Sequence, residues 1–300
     1  MFTSINHNNV KRRCQIMTSI ISKQWLLARM YETDLVIVDC RFIMGQPEAG
    51  RMAYEEEHIP GAVYFDLEKD LSSRLTEHGG RHPLPDMENF RRTLERVGIN
   101  NDTRVIAYDD QGGAMASRLW WLLQYIGHSS TFIMNEGFSN WKQSGYPLTD
   151  KQPIRIPQSF TPHIQHDMVI SMEEVKASTL EHATLIIDSR EHNRYLGLEE
   201  PIDPVAGHIP SAINRFWKDM KSAKGDWKSS VELQEHFKEI PKEQEIIVYC
   251  GSGVTACPNI LGLVESGYTR VKLYAGSWSD WISYEGNPIA IGDEQKPKGI

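Results

Sequence analysis

The chain has 300 residues, 40% of them apolar and 24% charged, with a net charge of −8 and a pI near 5.8. That length suits about two domains of roughly 150 residues each, and the acidity argues against nucleic acid or an anionic membrane surface as partner. No apolar run approaches the roughly 18 residues of a membrane span, and the cysteines, Cys14, Cys40, Cys250 and Cys257, are too sparse for a disulfide scaffold, so a reducing, cytoplasmic setting is expected.

Residues 1–17 carry the basic run Lys11-Arg12-Arg13 and no acid. A disordered leader is expected there, with a transit peptide or a misplaced start at Met17 as alternatives. The absence of an apolar run after the basic cluster argues against secretion. A first domain is expected over 18–149. Ser22 caps a helix that runs to Met30, with Trp25, Leu26 and Met30 on one face. Leu35-Val36-Ile37-Val38-Asp39 reads as a buried strand ending in Asp-x-Arg, and His58-Ile59-Pro60-Gly61-Ala62 follows. Residues 68–85, with Gly79-Gly80 and Pro83, read as a surface loop. His78 and His82 flank Gly79-Gly80-Arg81 there and read as solvated side chains rather than metal ligands. Arg104-Val105-Ile106-Ala107-Tyr108 is a second strand, followed by the loop Asp109-Asp110-Gln111-Gly112-Gly113 and a helix. Gly137-Phe138-Ser139-Asn140-Trp141 closes the half.

Residues 150–166, with Pro153, Pro157 and Pro162, read as a linker. A second domain is expected over 167–292, then a tail over 293–300. It repeats the first: Thr184-Leu185-Ile186-Ile187-Asp188-Ser189-Arg190, then His208-Ile209-Pro210-Ser211-Ala212, Glu245-Ile246-Ile247-Val248-Tyr249, a Gly-rich loop and helix, and Gly276-Ser277-Trp278-Ser279-Asp280-Trp281. This is a duplicated domain rather than a solenoid of short repeats. Alternating strands and helices predict an α/β fold, each half a mostly parallel sheet flanked by helices.

The chemistry concentrates at Cys250-Gly251-Ser252-Gly253-Val254-Thr255-Ala256. A cysteine closes a strand, a short loop follows, and a helix starts at Ala256. Loop N–H groups and a helix N-terminus together make an anion site, so Cys250 is placed to be a nucleophile. Gly251 and Gly253 permit the backbone to curl around a sulfur. In the first half the matching position is Asp109, which cannot carry a sulfur atom.

Asp-x-Arg, His-Ile-Pro-x-Ala, the Cys250 loop and Gly-Ser-Trp-x-x-Trp resemble the tandem-domain rhodanese superfamily over nearly all of residues 18–290. The resemblance implies two rhodanese-like domains, the second catalytic and the first inactive. It implies a sulfurtransferase that moves sulfane sulfur through a Cys250 persulfide to a thiol, such as that of a thioredoxin, or to cyanide, with ping-pong kinetics. No cofactor, metal, nucleic acid or membrane partner is expected. The neutral Gly251 and Ser252 favour 3-mercaptopyruvate as donor, and thiosulfate is the alternative. Arg194 matches an arginine that holds the donor carboxylate, as a planar guanidinium can, but the second arginine of the pattern falls at Ile202. Gly251, Gly253, Val254 and Thr255 would line the donor site, and the Ser252 and Thr255 hydroxyls stand nearest a leaving enolate. A Ser–His–acid relay is also implied, with Ser252 and His58 in the matching positions and Glu48 as the nearest acid.

The residues also have blander readings. His58 and His208 precede Ile-Pro in both halves, which points to a structural turn. Cys257, inside the helix, reads as core packing. Arg190 reads as a strand-end tie because Arg41 repeats it, whereas Arg194 has no twin. Trp120, Trp121, Trp141, Trp278 and Trp281 read as core and interface anchors. A phosphatase would need an arginine closing Cys-x5-Arg, and position 256 is Ala. A non-enzymatic docking module would keep its activity as Cys250→Ser.

Overall fold

The computed structural model describes residues 18–294 apart from 182. The expected leader, with Cys14, and most of the expected tail fall outside the described residues. The first half contains β1 (Ile20–Ile21), α1 (Lys23–Leu27), β2 (Leu35–Asp39), α2 (Ala49–Glu56), β3 (Ala62–Tyr64), α3 (Met87–Arg96), β4 (Arg104–Tyr108), α4 (Ala114–Tyr125), β5 (Thr131–Met134) and α5 (Gly137–Gln143). The second contains α6 (Met172–Glu181), β6 (Thr184–Asp188), α7 (His192–Tyr195), β7 (Ile213–Asn214), α8 (Ser230–His236), β8 (Glu245–Tyr249), α9 (Ala256–Glu265), β9 (Val271–Leu273) and α10 (Ser277–Trp281).

Both sheets are parallel, in the orders β1-β5-β4-β2-β3 and β7-β6-β8-β9. The central strands are apolar along their length because helices cover both faces. Register repeats as well: Asp39 lies opposite Tyr108, and Asp188 opposite Tyr249. The part that β1 plays against β5 falls in the second half to Val169, bridged to Leu273. Ser22 caps α1 by accepting the Trp25 N–H at 3.1 Å. The helix stops at Leu27, short of the expected Met30, yet Met30 stays buried.

A polar frame is duplicated too. Arg41 and Arg190 fold back on Asp39 and Asp188 at 2.7 and 2.6 Å, and each guanidinium lies over the aromatic ring that opens the closing helix, Phe138 or Trp278. His58 stacks on Tyr54 and holds the Tyr54 carbonyl at 2.7 Å, and His208 stacks on Tyr195 and holds its carbonyl at 2.7 Å. The other ring nitrogen of His58 lies 3.2 Å from the Lys151 carbonyl. Both nitrogens are thus engaged by main chain in the first half, so His58 is a turn residue and does not reach the Cys250 loop.

Helices α4 and α9 pack against each other between the halves. One apolar core therefore runs through both, joining Leu119, Trp120 and Leu123 to Val254, Ile260 and Leu261. The linker lies along the first half, with the Gln158, His163 and Gln165 N–H groups bonded to Glu95, Ile126 and Tyr125 carbonyls. Residues 68–85 are not the solvated loop expected. Their tip docks on the second half: His78 stacks on Tyr284 at 3.9 Å, and the Gly79 N–H donates to Asp280 at 2.6 Å. Among the described residues no helix is long and apolar enough to cross a membrane.

Candidate active site

Cys250 directly follows β8 and is buried. Its N–H donates to Ser277 Oγ at 3.1 Å, and its carbonyl accepts the Trp278 N–H at 2.9 Å. Ser277 takes a left-handed φ of +58°, unusual for a residue with a Cβ. Its hydroxyl donates in turn to the Tyr274 carbonyl at 2.9 Å, so the start of α10 fixes the cysteine backbone.

The sulfur of Cys250 accepts the Gly253 N–H at 3.1 Å. Gly253 has φ +75°, and a Cβ there would run into the Ala275 carbonyl, so only glycine fits. Among the described residues, the N–H groups of Gly251, Ser252, Val254, Thr255 and Ala256 donate to no acceptor. Six consecutive residues thus offer donors to an anion at the mouth of α9.

The first half fills the equivalent cup with its own side chain. Asp109 Oδ1 accepts from the Gln111 and Gly113 N–H groups at 3.0 and 2.8 Å, and Oδ2 from Met115 and Ala116 at 2.9 and 3.0 Å. Burial raises the Asp109 pKa, and these amides oppose that rise.

Three side chains reach the Cys250 loop from the first half. Arg118 on α4 is fully buried and donates to the Gly253 and His82 carbonyls, both at 3.1 Å. Burial lowers its pKa, and Cys257 and Cys250 act the other way. His82 Nδ1 lies 2.8 Å from Ser252 Oγ. Burial, then Arg118 and Arg81, push the His82 pKa down to about 4, so the ring is neutral at pH 7. Arg81 bonds Asp203 of the second half, and its Nη2 lies 2.8 Å from where a Cβ on Gly251 would stand. The nearer Nη of Arg194 lies 3.6 Å from the same point. Arg194 is held on Glu200 at 2.7 Å and on Asp203 at 3.2 Å. Gly251 is therefore the floor beneath two converging guanidinium groups.

The structure gathers Cys250, Gly251, Ser252, Gly253, Val254, Thr255 and Arg194 into one place. It does not bring His58 or Glu48 there. Glu48 precedes α2, is exposed, and pairs with Lys69 at 2.6 Å. The histidine beside Ser252 is His82, and with Arg81 and Arg118 it is what sequence reading missed. The signal present in the chain is the Gly79-Gly80-Arg81-His82 cluster, whose histidines are expected in solvent. Cys257 donates to the Gly253 carbonyl at 3.4 Å, and burial pushes its thiol up to about 12, which keeps it protonated.

The rhodanese-like domain profile matches residues 22–144 and again 171–284. A protein of Pseudomonas aeruginosa named probable 3-mercaptopyruvate sulfurtransferase is 38% identical over 279 residues, covering 91% of this chain and 98% of its own. The mouse thiosulfate sulfurtransferase is 31% identical, covering 88% of this chain and 92% of its own. The crystal structure of SseA from Escherichia coli, described as a 3-mercaptopyruvate sulfotransferase, superposes with a TM-score of 0.77 at 30% identity, over 87% of this chain and 99% of that one. The chain belongs to the rhodanese-like family, with two copies of the domain. Within that family it is an enzyme of the sulfurtransferase class, as its near full-length relatives are.

Proposed function

We propose that the chain transfers sulfur from 3-mercaptopyruvate to a thiol, through a persulfide on Cys250. The Cys250 thiolate attacks the donor sulfur. The donor C–S bond breaks, its electron pair leaves on carbon as pyruvate enolate, and a proton taken up at that carbon completes pyruvate. The outer sulfur then sits as an anion among the loop N–H groups. An acceptor thiolate attacks it, the S–S bond breaks, and the Cys250 thiolate returns while the acceptor leaves as a persulfide. Arg194 holds the donor carboxylate. Gly251, Gly253, Val254 and Thr255 line the donor and persulfide cup. The first half is catalytically silent. A small protein dithiol of the cytoplasm suits the acceptor step.

The observation that carries the donor assignment is the contact of Ser252 with neutral His82 beside Cys250. A carbon leaving group must be protonated, and a hydroxyl on a neutral imidazole can relay that proton. Sulfite leaving from thiosulfate needs no such help. The test is kcat/KM for 3-mercaptopyruvate and for thiosulfate with one thiol acceptor. We expect 3-mercaptopyruvate to be preferred by about tenfold or more, with one sulfur atom added to the Cys250 peptide in intact-mass analysis after donor alone. A preference for thiosulfate would overturn the donor assignment, and no added sulfur on that peptide would overturn the mechanism.

A further inference from the structure

We propose that Arg81, carried across from the first half, is the second guanidinium of the donor-carboxylate site and stands in for the arginine missing at Ile202. This rests on the reading of the site just given. Ile202 lies beside the anchor of that site: its N–H, like that of Asp203, donates to the Glu200 oxygen that grips Arg194, both at 3.1 Å. The Ile202 side chain is apolar and offers an anion nothing. Asp203, its neighbour, is bonded by Arg194 on one oxygen and by Arg81 on the other. The guanidinium that the local sequence lacks thus arrives from a loop more than a hundred residues upstream.

Charge makes the contribution matter. The ion-pair network runs Arg81–Asp203–Arg194–Glu200–Arg190–Asp188. Its three guanidinium groups balance its three carboxylates. Without Arg81 the network carries a net negative charge, which repels a carboxylate donor. With it, the two guanidinium groups over Gly251 face an anion from a neutral frame.

Arg81 is also held in place before any donor arrives. Its N–H donates to Ser279 Oγ at 3.1 Å. Gly80, at φ +76°, lies so close to the Gly276 carbonyl that no Cβ fits. A group fixed in advance loses little freedom on binding.

The test is steady-state kinetics with 3-mercaptopyruvate on the full chain. Arg81→Ala should raise KM about tenfold or more and change kcat far less, the pattern of lost donor binding. Adding Ile202→Arg to Arg81→Ala should bring KM back toward the parent value. A merely structural role would lower the melting temperature and would not respond to a new arginine at 202. Arg81→Gln, which can still bond Asp203, carries the same expectation should Arg81→Ala not fold. A KM within about twofold of the parent, or a folded double variant with KM still raised, would overturn the assignment while leaving the donor reading intact. A parent inert toward 3-mercaptopyruvate would overturn the donor reading, and this assignment with it.

Discussion

After β4 the chain turns through Asp109, and after β8 it turns through Cys250, at the same point of two equivalent sheets. Each turn curls its N–H groups around one side chain. In the first half a carboxylate accepts four of them. In the second a sulfur accepts one, from Gly253. The support beneath differs as well. The left-handed position that opens the closing helix is Gly137 in the first half, which adopts it freely, and Ser277 in the second. A non-glycine residue there stores strain of about 1 kcal/mol or more, and its hydroxyl is the group that holds the Cys250 N–H. The comparison teaches that the cup belongs to the fold, whereas its unfilled donors and its strained support belong to the half proposed to do chemistry.

The sharpest way to break this comparison is to make the second cup like the first. Cys250→Asp should lose sulfur transfer by about 10³-fold or more. It should still fold, because the new carboxylate can accept the Ser252, Val254 and Ala256 N–H groups in the manner of Asp109. Transfer assays and thermal melting check this, and a melting temperature below that of Cys250→Ala would mean the two cups are not equivalent.

Emptying the first cup is the next largest effect. Asp109→Ala leaves four buried N–H groups without an acceptor, costing about 2–4 kcal/mol in urea unfolding. The folded variant should transfer sulfur as the parent does. A neutral outcome in unfolding would show that Asp109 does not fill its cup.

The smallest effect concerns the histidine contact of Ser252, since the side chain of Gln111, its match in the first half, accepts instead from the main-chain N–H groups of Phe42 and Asp110. The pKa of His82 is about 4 in the fold against an ordinary 6.5. Between those values the unfolded chain binds a proton that the native chain does not. The contribution of this group to stability is therefore full above pH 6.5 and is lost as pH falls toward 4. Melting temperature should decline over that window, and His82→Asn should flatten the decline. An unchanged slope would place the titration elsewhere.

Much of this was legible in the sequence because it is local. Strand, loop and helix at Cys250 follow from a β-branched run, glycines and an apolar periodicity. The duplication follows from punctuation that recurs in order. His58 misled because it sits in a motif that both halves use for the same turn, where its ring nitrogens are consumed by carbonyls. His82 and Arg118 were out of reach for a different reason. They meet the Cys250 loop from 170 and 135 residues away, across an interface that no local pattern announces. Arg81 sits in the same cluster as His82, and nothing nearby in the chain signals that Asp203 faces it.

The docked tip at 78–82 has a mechanical consequence. With His78 lying on Tyr284 and the Gly79 N–H bonded to Asp280, the two halves are clasped at the tip as well as along α4 and α9. The Cys250 loop is walled by side chains from both, so prising the halves apart would strip Ser252 of its imidazole neighbour and the Gly253 carbonyl of its guanidinium.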